Sequence, residues 1–256
     1  MIKLENYEVV GWEHAIRGMR NPMNSWAKMD SQWTNGYLSS NHITVQQMGE
    51  YDEFQIGPND RELMMKLAKG GPVHAKYRRM ITVYVDITAP LYWWKEFDTY
   101  KVGTVANSCS TMHKIHSKEF TLEDFSCEKL LGGLNHYDER AVPYIDVSPY
   151  NDGSIEYSPR GLLGLTIKML NECRKRYLEY DGCDGIYKKE LWHQMIQLLP
   201  TSYNQRRTVM FNYEVLHNIY TSGRKSHKID EWRELCAWIE KLPYSETITG
   251  KEGTDE

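Results

Sequence analysis

Side chains able to bind a ligand or move a proton gather in two stretches far apart in the chain. The first is Asp98-Thr99-Tyr100-Lys101, running on to Asn107-Ser108-Cys109-Ser110. It offers hydroxyls, an amide, a thiol and one ammonium, with neither a helical nor a strand period. Loops of this composition wrap phosphates through backbone N–H groups and equally serve as plain turns. Cys109 as a nucleophile needs a base, and the spacing does not bring His113 or His116 to it. Those two histidines lack the second ligand cluster of a metal site, so no metal is expected. The second stretch runs from Leu199-Pro200 through Asn212 to His227 and Glu231. Read on a helix over 204–221, Asn212 shares a stripe with Val209, Leu216 and Ile219. A buried amide without partners costs ~1–3 kcal/mol. A backbone carbonyl or neighbouring side chain satisfies it, or a bound ring with donors and acceptors does. His227 and Glu231 lie four apart and share a face of a helix expected over 227–241. They are either a helix-start carboxylate beside a solvated histidine or a pair turned to a ligand.

The elements that must position these residues are mostly helical. Residues 2–10 alternate as a strand and 11–20 form a short helix ending at Asn21-Pro22. Residues 24–58 are polar and read as a long loop. A helix over 59–69, capped by Asn59 or Asp60, stops at Gly70-Gly71-Pro72. Arg79 to Ala89 is the clearest strand: Ile81, Val83, Val85 and Ile87 point one way, and Thr82, Tyr84, Asp86 and Thr88 the other. A helical turn is expected over 91–98, a helix over 121–131, and loop with short extended pieces over 134–156. The helix over 159–180 carries Leu162, Leu165, Met169, Cys173 and Tyr177 on one stripe. Further helices follow over 187–199, 204–221 and 227–241, with Leu242-Pro243 closing the last and a frayed polar tail behind it. The balance is α+β with helices dominating.

With 256 residues and 41% apolar content, the chain is long enough to bury a core as one large domain. A net charge of −4 gives no polycationic footprint, so nucleic acid is not an expected partner. Tyr and Trp, 18 and 8 residues against 5 Phe, suit stacking pockets and interfaces as well as cores. Five cysteines at 109, 127, 173, 183 and 236 form no paired spacing, which with no leader segment points to free thiols in a reducing cytoplasm. No apolar run approaches the ~20 residues of a membrane span.

Together the two stretches resemble the flavin-dependent thymidylate synthases. In that family a strand ending in Ala-Pro leads to an Arg-His-Arg triplet and then to a serine. Here Ala89-Pro90 leads through eight residues to Thr99-Tyr100-Lys101, and eight more lead to Ser110, with Asn107 three before it. Leu199-Pro200, Asn212, His227 and Glu231 follow the family's C-terminal pattern, and His74 resembles the histidine before its long strand. The resemblance spans about residues 65–242. It implies a helix-rich α+β domain on a small antiparallel sheet over 1–246, with 247–256 as a tail. It also implies FAD held by His74, Thr99, Tyr100, Lys101, Asn107, Asn212, His227 and Glu231. Cys109, Ser110 and Arg224 would meet dUMP, with Ser110 and Arg224 as catalytic residues. The implied reaction is reductive methylation of dUMP to dTMP with NADPH and methylenetetrahydrofolate, in a homotetramer. An inactive or altered-specificity relative that binds a nucleotide or flavin is the alternative.

The chain also departs from the family. The triplet keeps one cation, Lys101; Met112 and Ile196 stand where the family has arginines. The arginine that polarises the uracil ring aligns with Gly223, one residue before Arg224. One helical residue is ~100° of rotation, so Arg224 substitutes only where the helix has already unwound. Arg78, Arg79, Arg206 and Arg207 are the spare cations that could rebuild a phosphate site.

Overall fold

The computed structural model describes residues 2–36, 51–132, 145–146, 156–182 and 185–251. In chain order these form β1 (Lys3–Val10), α1 (Trp12–Arg20), β2 (Gln32–Gly36), β3 (Tyr51–Gln55), α2 (Pro58–Lys69), β4 (Thr82–Pro90), α3 (Leu91–Phe97), β5 (Thr104–Ser108) and α4 (Thr111–Lys114). There follow β6 (Ile145–Asp146), β7 (Glu156–Tyr157), α5 (Pro159–Glu179), α6 (Gly185–Leu198), β8 (Asn204–Asn212), α7 (Tyr213–Thr221), α8 (Asp230–Ile239) and α9 (Glu246–Thr249). A four-stranded sheet has the order β1-β4-β8-β5, and β2-β3 and β6-β7 are antiparallel pairs. The fold is α+β, helices with a small antiparallel sheet. Cys183 and most of 134–156 lie outside the described residues.

The chain divides into two compact units. One is made of Met1–Lys3, Ile87–Thr99 and Asn107–Arg207; the other of Leu4–Asp86, Tyr100–Ala106 and Thr208–Glu256. In the first, α5 packs on α6. Leu163, Ile167, Leu170 and Cys173 of α5 are buried with Met195 of α6, Ile115, Phe120 and Phe125. Of the expected stripe, Cys173 and Tyr177 pack on this core, while Leu162, Leu165 and Met169 are exposed and that part is corrected. Both sets have helical spacing on adjacent faces, and only the position of α6 selects which is covered.

In the second unit, Ile81, Val83 and Val85 are buried while Tyr84 is exposed, so the expected alternation of the long strand holds. The segment Lys76–Arg79 before it is a 3₁₀ turn rather than the strand's start. Asp86 ties three strands: it accepts from Asn6 Nδ2 at 3.0 Å and from Thr208 Oγ1 at 2.6 Å. The expected loop over 24–58 contains the β2-β3 hairpin, whose Trp33 and Phe54 meet edge to face. The expected helix over 121–131 is reduced to a 3₁₀ turn, Leu122–Asp124. At the C-terminal end, Thr247 and Ile248 are fully buried in α9, where a frayed tail was expected.

Neither Asn59 nor Asp60 caps α2. Asp30, remote in sequence, accepts the amides of Asn59 and Asp60 at 2.9 and 3.0 Å. Asp60 instead faces inward, fully buried, and accepts from Arg20 Nε at 2.6 Å and Ser31 Oγ at 2.6 Å. Burial alone would raise its pKa. The hydrogen bonds from Ser31, Arg20 and the amides of residues 30 and 31 outweigh that and hold it below the ordinary 3.8. A value lower in the folded than the unfolded chain stabilises fully above 3.8, and that contribution is lost as pH falls through the lowered value. Asp60→Asn leaves Arg20 buried without its counter-charge and should cost ~3 kcal/mol in urea unfolding at pH 7. The gap between wild type and variant should narrow in the same measurement at pH 3.

Candidate functional site

The chain over 204–221 is not one helix. β8 runs to Asn212 with Val209 and Phe211 buried in alternation, and α7 begins at Tyr213. Asn212 is the N-cap: its Oδ1 accepts from the Val215 amide at 3.0 Å. The puzzle of an amide inside an apolar helical stripe therefore has a local answer, and the premise of one helix is corrected. The signal was present in the sequence, an asparagine directly before an apolar helical run with Glu214 in its first turn. The same side chain also fixes the loop carrying the first polar stretch. Gly103 has φ +79°, and a Cβ there would sit 2.8 Å from Asn212 Nδ2. Only glycine allows that approach without strain.

α7 ends at Thr221, and Gly223 turns the chain left-handed at φ +85°. Arg224 then starts a 3₁₀ turn, so the helix has unwound before it, as substitution for the family's arginine requires. Its guanidinium carbon lies 4.1 Å over the ring of Trp232 and 5.7 Å from that of Tyr100. Arg224 Nε donates to the Tyr100 hydroxyl at 3.0 Å. That hydroxyl lies 3.1 Å from Ser222 Oγ, and Ser222 Oγ donates to the Ile219 carbonyl at 3.0 Å.

His227 precedes α8 rather than sharing its face with Glu231, which corrects the expected helix over 227–241. Its Nδ1 accepts from the Ile229 amide at 3.2 Å, and its Nε2 lies 3.2 Å from Arg224 Nη1. Arg224 Nη1 can only donate, so its bond to Nε2 needs that nitrogen's lone pair, and the tautomer decides which of the two ring nitrogens accepts. Glu231 is buried in the first turn of α8, next to Trp232, whose ring is fully buried. Trp232 was not singled out by sequence, since a tryptophan on an apolar stripe reads as core.

The remaining candidates are placed separately. His74 is exposed and lies against Gly70. Thr99 Oγ1 donates to the Glu96 carbonyl at 2.7 Å, closing α3. Lys101 is exposed, and Thr104 Oγ1, three residues on, is buried without a hydrogen-bond partner among the described residues. In the other unit Asn107, Cys109 and Ser110 are exposed, and Ser110 Oγ caps α4 by accepting from His113 N at 2.9 Å. Cys109 is held by its backbone, its amide donating to the Arg206 carbonyl and its carbonyl accepting from Gln205 Nε2, both at 2.9 Å.

Two of the four spare cations are committed inside the protein. Arg207 bonds Asp98 at 2.7 Å and stacks on Trp94 at 4.1 Å. Arg78 is buried 3.6 Å from Glu214. As a cap, Asn212 has a stability role that can be measured. Asn212→Ala should cost ~1 kcal/mol in urea unfolding, and Asn212→Asp or Asn212→Ser should recover most of it. Equal stability of all four proteins would remove the cap from this account.

No protein-family model matches the chain, and no curated protein matches it significantly in sequence. Solved structures do. Thymidylate synthase X (ThyX) from Helicobacter pylori, with FAD and dUMP, aligns over 97% of this chain and 95% of its own at 13% identity and TM-score 0.54. A second structure of flavin-dependent thymidylate synthase ThyX from Helicobacter pylori, complexed with FAD and dUMP, gives 97% and 96% at 14% identity and TM-score 0.53. The UMP/dUMP methylase PolB from Streptomyces cacaoi, bound with 5-Br dUMP, gives 98% and 95% at 11% identity and TM-score 0.50. What this chain shares with them, over nearly its whole length, is the fold of the flavin-dependent thymidylate synthases.

Proposed function

We propose that the protein is a pyrimidine-nucleotide enzyme of the flavin-dependent thymidylate synthase kind, binding FAD and dUMP. The observation that carries this reading is the convergence of Arg224 Nη1 and His227 Nε2 at 3.2 Å, beside Tyr100. All three positions are ones that the family resemblance assigns to flavin or nucleotide. The positive charge of Arg224 draws electrons from a pyrimidine carbonyl docked on it.

The donor set of this chain fits a flavin nucleotide. Lys101 offers an exposed ammonium for a phosphate, and Thr104 a hydroxyl without a hydrogen-bond partner among the described residues. FAD, when bound, supplies the hydride chemistry. The protein's residues bind, orient and polarise: Arg224 acts on the pyrimidine carbonyl, and Ser110, exposed at the start of α4, is the hydroxyl that the resemblance assigns to the nucleotide. The same reading brings NADPH as reductant, methylenetetrahydrofolate as carbon donor, and assembly of four copies. The commitment of Arg207 and Arg78 to internal partners favours a second reading, a relative that binds the nucleotide without turnover.

Titration of the purified protein with FAD should produce a bound flavin spectrum, and added dUMP should perturb it. Arg224→Ala should weaken dUMP binding ~10–100-fold, the loss of one charge-assisted hydrogen bond. NADPH oxidation stimulated by dUMP supports the enzyme, and nucleotide binding without it supports the silent binder. A protein that takes up neither FAD nor dUMP overturns both.

A further inference from the structure

We infer that Tyr100 is a positioning residue for Arg224 rather than a contact of the cofactor, with Trp232 as the floor of the same cradle. This rests on the nucleotide-site reading above and assigns its first polar stretch a different task.

The direction of the hydrogen bonds carries the inference. Arg224 Nε can only donate, so the Tyr100 oxygen accepts at 3.0 Å. The Ser222 hydrogen goes to the Ile219 carbonyl at 3.0 Å, so Ser222 Oγ presents a lone pair to Tyr100 at 3.1 Å. The tyrosine's one hydrogen therefore points to Ser222. The relay runs one way, from guanidinium to phenol to serine to the last turn of α7. Tyr100 thus has its donor committed, and it anchors Arg224 to the helix end from which Gly223 has separated it.

Trp232 acts from a different direction. The guanidinium carbon stands over its fully buried ring, 4.1 Å from the centroid, and the ring centroids of Trp232 and Tyr100 are 5.9 Å apart. A guanidinium with a hydrogen bond in its plane and a ring on its face loses its rotational freedom before any ligand arrives. Arg224 opens a short 3₁₀ turn directly after Gly223, so these side-chain contacts add to what that single turn of backbone fixes.

The test is a double-mutant cycle on dUMP binding with Tyr100→Phe and Arg224→Ala, joined to side-chain NMR of the arginine. Tyr100→Phe keeps the ring and removes only the hydroxyl. We expect dUMP affinity to fall ~10-fold in the wild-type background and to be unchanged by Tyr100→Phe once Arg224 is alanine. Equal losses in both backgrounds, or no loss in either, overturn the inference. The NMR arm does not depend on the nucleotide: the Arg224 Nε–H signal should exchange slowly with water in the wild type and rapidly in Tyr100→Phe. Equal exchange in the two proteins overturns the cradle even where dUMP binds. Slow exchange restored to fast by the variant, in a protein that binds no dUMP, upholds the cradle and removes the nucleotide reading alone.

Discussion

A hydrogen bond from the Val215 amide to the Asn212 side chain sets where an extended strand becomes a helix, and the polar centre depends on that point. Were β8 to continue, or α7 to begin a turn earlier, every later residue would be rotated or translated along its element. With the cap at Asn212, α7 runs nine residues, ends before Gly223, and releases Arg224 beside Tyr100. The same asparagine packs on Gly103, so one side chain fixes both the start of the helix and the loop that brings Tyr100. Local backbone chemistry and the polar site are thus coupled through a single amide.

Charge is handled differently in the two units. In one, Arg207 is held between Asp98 and the face of Trp94, partly screened by solvent, so that its ion pair contributes little to stability on its own. In the other, Arg20–Asp60 and Arg78–Glu214 are buried pairs. In the first, Asp60 accepts from Arg20, Ser31 Oγ and the amides of residues 30 and 31, which ties α1 and α2 to Ser31. The second is longer, and Glu214 Oε2 with Arg78 Nε and Nη1 has no hydrogen-bond partner among the described residues. Neither cation of these pairs faces solvent, so the protein's positive charge available to a phosphate is less than its arginine content suggests.

Arg224 differs from both groups. Its in-plane nitrogens meet a phenol and an imidazole, and its face meets an indole. A phenol, an imidazole and an indole thus hold the guanidinium at its edge and on its face. The ten-residue helix that follows supplies that support, since Trp232 sits in its first turn with Leu235, Cys236 and Ile239 buried behind it. Burial pushes the Cys236 thiol up to about 11, as befits a cysteine that only fills space.

The sequence by itself determined the elements whose pattern had one reading. The alternation through Val83 and Val85, the stop at Gly70-Gly71-Pro72 and the breaker at Ser222-Gly223 each follow from local backbone chemistry, and each is found in the structure. It also pointed to Arg224, on condition that the helix had unwound. Where a pattern had two readings, only tertiary structure decided. Val209, Asn212, Leu216 and Ile219 fit a helical period, while Val209 and Phe211 fit a strand, and pairing within the sheet selected the second. Leu162 and Leu163 head adjacent apolar faces of α5, and contact with α6 selected the latter. Asp30 capping α2 and Trp232 supporting Arg224 join residues from separate elements, and no local rule relates them. Periodicity records what a residue can face; which neighbour it faces depends on contacts between segments that the order of residues does not specify.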